Sequence, residues 1–346
     1  MEEDKQKHFI NNIEIKNFKC FENFKADGFG RVNLIGGKNN VGKTAFMEAC
    51  YLVNNLYIPA GTAFAGRDTL YFNIIKSFLY IEQNRKGSDF LIDWLLDTYT
   101  LNDFSNFEIE LPKRLKLSAN NNMITPERFQ KHDYWNDGTF KLSEHRDNQY
   151  FYIARKNKKA PNLDDYHFVT PCNNTYTTTK KLLGKIKELN KNDYINEQLK
   201  ILFHVSKIDL TDNDVILFDN NNSEPKNLSQ YGDGIKHFIN VILTLLVHKD
   251  TTIFLDEIEN GIHYTNLDKL WEIILTISKE QNVQVFATTH SKECIESYAR
   301  VAKKLEDEEI GFIELGRNKK NELDSVVMDS EMFQRFVKLG NEVRGW

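Results

Sequence analysis

Cysteine is scarce in this chain and never closely spaced. Its 346 residues hold four, Cys20, Cys50, Cys172 and Cys294. No C-x-x-C pair occurs, which speaks against a zinc site. Two of the four sit among apolar neighbours in predicted helices and read as buried free thiols, in keeping with a reduced, cytoplasmic compartment. Long apolar runs are missing as well. Nothing approaches the roughly 18 uninterrupted apolar residues of a membrane helix, and the charged start, Met1 to Lys7, leads into no signal-peptide core. No membrane partner is expected. Nor is there a surplus of basic charge. Lys and Arg total 45 against 50 Asp and Glu, a net charge of −5. That supplies no global pull toward nucleic acid and leaves a local basic groove as the one route to it. Internal repeats are absent, and so is low complexity beyond a general richness in Asn and Lys. What remains is ordinary for a globular chain, with 40% hydrophobic and 27% charged residues. The length allows one large domain or two small ones.

One octapeptide stands out. Gly37-Lys38-Asn39-Asn40-Val41-Gly42-Lys43-Thr44 fits G-x-x-x-x-G-K-[ST] at every fixed position. A nucleoside triphosphate crowds negative charge onto its phosphate oxygens. Glycines let a loop curl so that backbone N–H groups face those oxygens, and the following helix adds its positive N-terminal end. Gly37, Asn39, Asn40, Val41, Gly42, Lys43, Thr44 and Ala45 are therefore candidate ATP contacts. Lys43 is placed to reach the β- and γ-phosphates, and the Thr44 hydroxyl to bind Mg²⁺. An ordinary Gly/Asn turn would share the composition but not the flanks. Arg31 to Gly36 reads as a buried strand, and Phe46, Ala49, Cys50 and Val53 recur at helical spacing.

Further along, Ile10 to Phe21 alternates like a strand. Stripes at 67–84 and 89–99 predict helices after a connector at 58–61. Short alternating runs at 107–111, 140–142 and 150–153 predict an antiparallel sheet. Residues 178–200 return to helical spacing, and 201–219 holds two short strands. The last third alternates cleanly: helix around 235–246, strand 252–255, helix 267–274, strand 283–287, helix 295–302 and strand 310–315. Such alternation implies a parallel sheet with helices on its faces. Residues 58–205 read as an α+β and helical insertion within a single domain spanning 1–346.

Two of the predicted strands end in polar residues. Thr252 to Leu255 runs into Asp256-Glu257. These are either the first exposed residues after a strand or an acidic pair on a metal-bound nucleotide. In the second reading Asp256 meets Mg²⁺ and Glu257 polarises the attacking water. Val285 to Ala287 ends in Thr288-Thr289-His290-Ser291, and His290 at such a tip can bond the γ-phosphate. Ser229, Gly232 and Gly234 lie before the helix at Ile235, either as an anion-binding nest or as a plain N-cap with Ser and Asp in their usual place.

The order I-E-I-K-N-F-K-C-F, P-loop, Gly-rich segment before a helix, L-D-E-I-E-N-G-I-H-Y and A-T-T-H-S resembles the ABC-type P-loop ATPases of the SMC/RecF/OLD branch. Within it the order looks nearest to the stand-alone AAA-family ATPases of bacterial defence and toxin–antitoxin-like operons. The likeness covers roughly residues 8–57 and 225–316. It implies an α/β P-loop NTPase of ABC/SMC-head type, with a mixed sheet core, N-terminal antiparallel strands and a mixed α+β insertion. It also implies a homodimer or higher homo-oligomer with ATP sandwiched between the P-loop of one subunit and the signature segment of the other. By position, Lys43 and Thr44 become the phosphate and Mg²⁺ residues, and Asp256 a second metal residue. Glu257 becomes the general base and His290 the switch histidine. Ser229, Gly232 and Gly234 fall in the signature loop, and Glu259-Asn260-Gly261 in the segment crossing the dimer interface. Two features depart from the family. Gln230-Tyr231 and then Gly-Asp-Gly replace L-S-G-G-Q, and no heptad run is long enough for coiled-coil arms. The implied function is a slow ATP-hydrolysing switch that controls a separately encoded effector, a nuclease or toxin, in anti-phage defence. A RecF-like ATPase acting on DNA is the alternative, which the acidic balance disfavours. A nuclease of OLD type would need a carboxylate-rich C-terminal metal domain. The residues after 315 are too few for one, and Asp324 and Asp329 read as turn residues.

Overall fold

The computed structural model describes residues 9–18, 20–55, 116–119, 122–124, 140–145, 150–155, 168–169, 176–211, 214–220 and 224–340. The chain forms two compact units, one of residues 1–12, 26–47 and 166–346, the other of 13–25 and 48–165. From the N-terminus, strands β1 (Asn12–Phe18), β2 (Phe21–Asp27) and β3 (Val32–Gly37) precede helix α1 (Lys43–Asn55). In the smaller unit β4 (Lys116–Ala119) and β5 (Asn122–Ile124) extend a four-stranded sheet in the order β2-β1-β4-β5. There β1 pairs antiparallel with β4, Glu14 opposite Ser118. Strands β6 (Phe140–His145) and β7 (Tyr150–Arg155) form an antiparallel pair. The helices expected at 67–84 and 89–99, the connector at 58–61, the strand at 107–111 and Cys172 lie outside the described residues.

The larger unit is built on a six-stranded sheet. Strand β8 (Phe168–Val169) leads to helices α2 (Tyr176–Glu188) and α3 (Asn192–Phe203). Next comes a three-stranded sheet of β9 (Val205–Leu210), β10 (Val215–Asp219) and β11 (Lys226–Asn227). Helix α4 (Asp233–Val247), strand β12 (Thr252–Leu255), helix α5 (Leu267–Glu280), strand β13 (Gln284–Thr288), helix α6 (Lys292–Lys304) and strand β14 (Ile310–Arg317) follow in strict alternation. Strand β15 (Leu323–Met328) and helix α7 (Ser330–Lys338) close the described chain. The main sheet runs β15-β14-β3-β13-β12-β8. It is parallel throughout except for the antiparallel edge pair β14–β15.

Every residue of β12 and β13 is buried, as strands covered on both faces by helices must be, and this is why they read as unbroken apolar runs. Helix α4 buries nearly its whole circumference, from Gly234 to Leu246. It shares one core with Leu182 and Ile186 of α2, Ile195 and Leu199 of α3, and Trp271 and Ile274 of α5. Cys50 and Cys294 are buried, while Cys20 is exposed.

At the N-terminal end of β3 a polar cluster is sealed in. Arg31 bonds the carboxylate of Asp307, that of Glu309 at 3.0 Å, the carbonyl of Leu275 at 3.2 Å and the Ser278 hydroxyl. Beside it, the Gln284 amide pairs with the backbone of Ile10 through two 2.8 Å bonds.

Three finer expectations fare differently. The helical stretch at 178–200 is two helices, because Asn190 takes a left-handed φ of 56° and ends the first. The two short strands expected within 201–219 are there, at Val205–Leu210 and Val215–Asp219. Asp324 and Asp329 are not turn residues. Asp324 lies in β15, and the Asp329 carboxylate caps α7 by accepting the Met332 N–H at 2.9 Å. The physical reason is Phe333, fully buried and stacked on Phe312 at 4.9 Å, which draws the tail back onto the sheet. Helices α2 and α3, read as the end of the 58–205 insertion, group with the larger unit.

Candidate functional site

Because β3, β12 and β13 are parallel, the segments that leave their carboxyl ends gather along one edge. The loop leaving β3 is shaped by its glycines. A Cβ on Gly36 would meet the Phe312 ring at 2.6 Å, and one on Gly37, whose φ is +139°, would lie 2.4 Å from the Leu315 carbonyl. Asn40 and Gly42 are also left-handed, at 63° and 90°. The Phe46 N–H then bonds the Gly42 carbonyl at 2.8 Å and opens α1. Val41 and Ala45 are buried and Asn39 is exposed. The Lys43 amine donates to the carbonyls of Gly37 at 2.8 Å and Lys38 at 2.9 Å. Burial pulls its pKa down to about 8, against the opposing pull of Asp256, Glu259 and Glu257 in that order.

The acidic tip of β12 faces this loop. The Thr44 hydroxyl donates to the Asp256 carboxylate, 3.3 Å from Oδ2 and 3.4 Å from Oδ1. The Asp256 N–H bonds the Val169 carbonyl at 2.8 Å. Glu257 takes a left-handed φ of 48°. Its N–H donates to the Thr288 hydroxyl at 2.8 Å, and its Oε2 accepts the Asn260 side-chain amide at 3.0 Å. The Thr288 hydroxyl in turn donates to Asp256 Oδ1 at 2.6 Å.

At the tip of β13, the His290 N–H donates to Glu259 Oε1 at 2.8 Å. The other oxygen, Glu259 Oε2, is buried and finds no hydrogen-bond partner among the described residues. The His290 ring is held below its ordinary pKa by burial and by the Lys43 charge, opposed by Glu259 and Glu257.

Lys43, Thr44, Asp256, Glu257 and His290 thus form one cluster, drawn from segments more than two hundred residues apart. The segment before α4 is not a plain N-cap with Ser or Asp in the capping place. Ser229 sits in a 3-10 turn, Leu228–Gln230, where its N–H donates to Asn227 Oδ1 at 2.9 Å. Gly232, not Ser or Asp, is the N-cap of α4, and no side chain caps that helix. Gly234 packs against the acidic segment of its own chain, since a Cβ there would lie 1.8 Å from the Gly261 carbonyl oxygen. One turn on, buried His237 hydrogen-bonds the Ile258 backbone. Sequence reasoning missed Thr288 and His237, as well as the contact from Glu259 to His290. Only Thr288 carried a signal, its place at the end of an apolar strand.

The donor set fits a Mg²⁺–triphosphate. Gly36 and Gly37 pack where a side chain would strike Phe312 and the Leu315 carbonyl, the Lys43 amine is held by the loop's own carbonyls, and the Thr44 hydroxyl and Asp256 carboxylate lie side by side. Among the described residues no three His, Cys, Asp or Glu are grouped to hold a metal by themselves. The fold and the gathered residues define a P-loop nucleotide site.

Comparison with known proteins agrees. A family model described as "AAA ATPase domain" matches residues 9–170, and one described as "AAA domain, putative AbiEii toxin, Type IV TA system" matches 173–296. A Helicobacter pylori (strain ATCC 700392 / 26695) protein named "ATP/GTP phosphatase" is 28% identical over 335 residues, spanning 83% of this chain and 86% of the relative. Among solved structures, an SMC head bound to the C-terminal winged-helix domain of ScpA has a TM-score of 0.49 at 14% identity, covering 93% of this chain and 98% of that one. The SMC head domain from Thermotoga maritima has a TM-score of 0.44 at 13% identity, covering 92% of this chain and 98% of that one. The chain carries a P-loop site and is similar to AAA ATPase domains, one of them of the toxin–antitoxin kind. No helix among the described residues is long and apolar enough to cross a membrane.

Proposed function

We propose that this chain is an ABC/SMC-type switch ATPase of the SMC/RecF/OLD-like branch, which closes as a homodimer around ATP and so holds or releases a separately encoded effector in anti-phage defence. The observation that carries the nucleotide reading is the Thr44 hydroxyl 3.3 Å from the Asp256 carboxylate. A neutral donor and a carboxylate from distant segments, placed at the mouth of a P-loop, suit a hydrated divalent cation. Mg²⁺ bound there supplies charge neutralisation at the phosphates. The Lys43 amine binds the β- and γ-phosphates. Thr44 and Asp256 hold the cation. Glu257, pinned at its backbone by Thr288 and at its carboxylate by Asn260, orients the attacking water, and His290 contacts the γ-phosphate. The signature segment faces the nucleotide of the second subunit through Ser229 and Gly232, while Gly234 lets α4 approach Gly261 of its own chain. The match to a toxin–antitoxin model supports effector control, and the relative's printed name makes GTP a substrate to assay beside ATP.

Calorimetry with ATP and GTP tests the site. Lys43→Ala is expected to abolish binding, and undiminished affinity would remove the P-loop assignment. Glu257→Gln is expected to bind ATP, hydrolyse it at least ~10²-fold more slowly and accumulate as a dimer by light scattering. Normal turnover in that variant would take the base role away from Glu257.

A further inference from the structure

Thr288 ends β13, the strand that lies between β3, which feeds the P-loop, and β12, which ends at the acidic pair. We propose that Thr288 is the positioning residue of this site, one hydroxyl that fixes the Asp256 carboxylate and the Glu257 backbone together. The proposal rests on the ATPase reading above and names what holds its two carboxylates in place.

The direction of each bond is forced by chemistry. A carboxylate only accepts and a backbone N–H only donates, so the Thr288 proton points to Asp256 Oδ1 at 2.6 Å, and a lone pair receives the Glu257 N–H at 2.8 Å. The same residue's carbonyl accepts the Ile258 N–H at 3.0 Å. Three consecutive residues, 256 to 258, are therefore each bonded to the one residue Thr288. Thr288 is itself immobile. It is fully buried, paired in register with Ile35 of β3, and β-branched, which restricts its χ1. Glu257 needs such a clamp. Its left-handed φ of 48° is costly for a residue with a side chain and persists only where the surroundings impose it. With Oδ1 engaged by Thr288, Asp256 keeps Oδ2 turned to Thr44, where the cation reading needs it.

A purely structural role would depend on the shape of Thr288, not on its hydroxyl. Thr288→Val keeps the shape and deletes the donor and acceptor; Thr288→Ser keeps the hydroxyl and deletes the methyl. In Thr288→Val, ATP affinity without Mg²⁺ is expected to stay within about threefold of the wild type. The gain in affinity on adding Mg²⁺ is expected to shrink about tenfold, and turnover to fall about 10²-fold. Thr288→Ser is expected to restore both to within about fivefold. Hydrogen exchange gives a readout that needs no nucleotide, with the Glu257 amide expected to exchange at least about tenfold faster in Thr288→Val and near the wild-type rate in Thr288→Ser. Unchanged exchange in Thr288→Val, or Ser as impaired as Val, would overturn the proposal. A wild-type protein that binds no nucleotide would instead sink the ATPase reading, and the exchange experiment would still decide what Thr288 does.

Discussion

Replacing Gly234 by alanine tests how α4 and the acidic segment depend on each other. The new Cβ would lie 1.8 Å from the Gly261 oxygen and 2.6 Å from its carbonyl carbon, both backbone atoms. Relief therefore needs a main-chain shift of more than about 1 Å, because no side chain can swing aside. Overpacking of this kind costs roughly 1–3 kcal/mol. The yielding partner is the 257–262 turn, which carries Glu257, Glu259 and Asn260 and is anchored in the core by Ile258. A misplacement of about 1 Å at a catalytic group lowers rate on the order of 10²-fold. Gly234→Ala is thus expected to lower melting modestly, leave ATP affinity within about threefold, and cut turnover about a hundredfold. A mixing experiment separates this effect within one chain from a role across the proposed dimer. Combined with Lys43→Ala subunits, a variant damaged only across the dimer would regain activity, since its intact P-loop would meet an intact signature segment. Damage within the chain predicts no recovery. Full turnover in Gly234→Ala, or clear recovery on mixing, would refute the reasoning.

Arg31→Met leaves the Asp307 carboxylate buried without its guanidinium. Breaking such a pair costs roughly 3–5 kcal/mol, so melting should fall by about 10 °C with ATP affinity unchanged; a shift under about 3 °C would show the pair to be dispensable. His237 is held neutral by burial, its pKa pulled from 6.5 to about 4. The unfolded chain therefore takes up the proton first as pH falls, and stability present above pH 6.5 is lost progressively toward pH 4. The loss amounts to roughly 3 kcal/mol at full extent. Urea titrations of His237→Gln across that range should show a flatter acid limb, and an unchanged slope would contradict the burial argument. Asn40 is left-handed in the phosphate loop. Asn40→Gly should keep ATP affinity, whereas Asn40→Val should strain the loop by roughly 1–2 kcal/mol and weaken binding measurably by calorimetry; equal affinities would show that the loop relaxes without penalty.

The parts legible in the sequence were those set by local pattern. The P-loop and the two buried strands ending in Asp256 and Thr288 announced themselves because a strand covered on both faces must be apolar along its length. The break at Asn190 was signalled by the polar run from Asn190 to Asp193, but the helical stripes on either side masked it. The tail after β14 escaped because its evidence is tertiary. Leu323 and Met328 make sense only against a sheet edge, and Phe333 only against Phe312. The same limit hid the interior of the site. Gly234 reads as a signature glycine, yet what demands its missing side chain is Gly261, twenty-seven positions on. Glu259 reads as part of an interface loop, and nothing local foretells its bond to His290. The left-handed backbone at Glu257 has no sequence mark at all.

Among the described residues, strand β8 places Phe168 and Val169 opposite Phe254 and Leu255. The Val169 carbonyl of β8 anchors the amide of Asp256. A short outer strand is the easiest part of a sheet to peel away. A ligand or partner that displaced β8 would free the Asp256 amide. Protection of that one amide, followed by exchange while candidate effectors are added, would report such displacement directly.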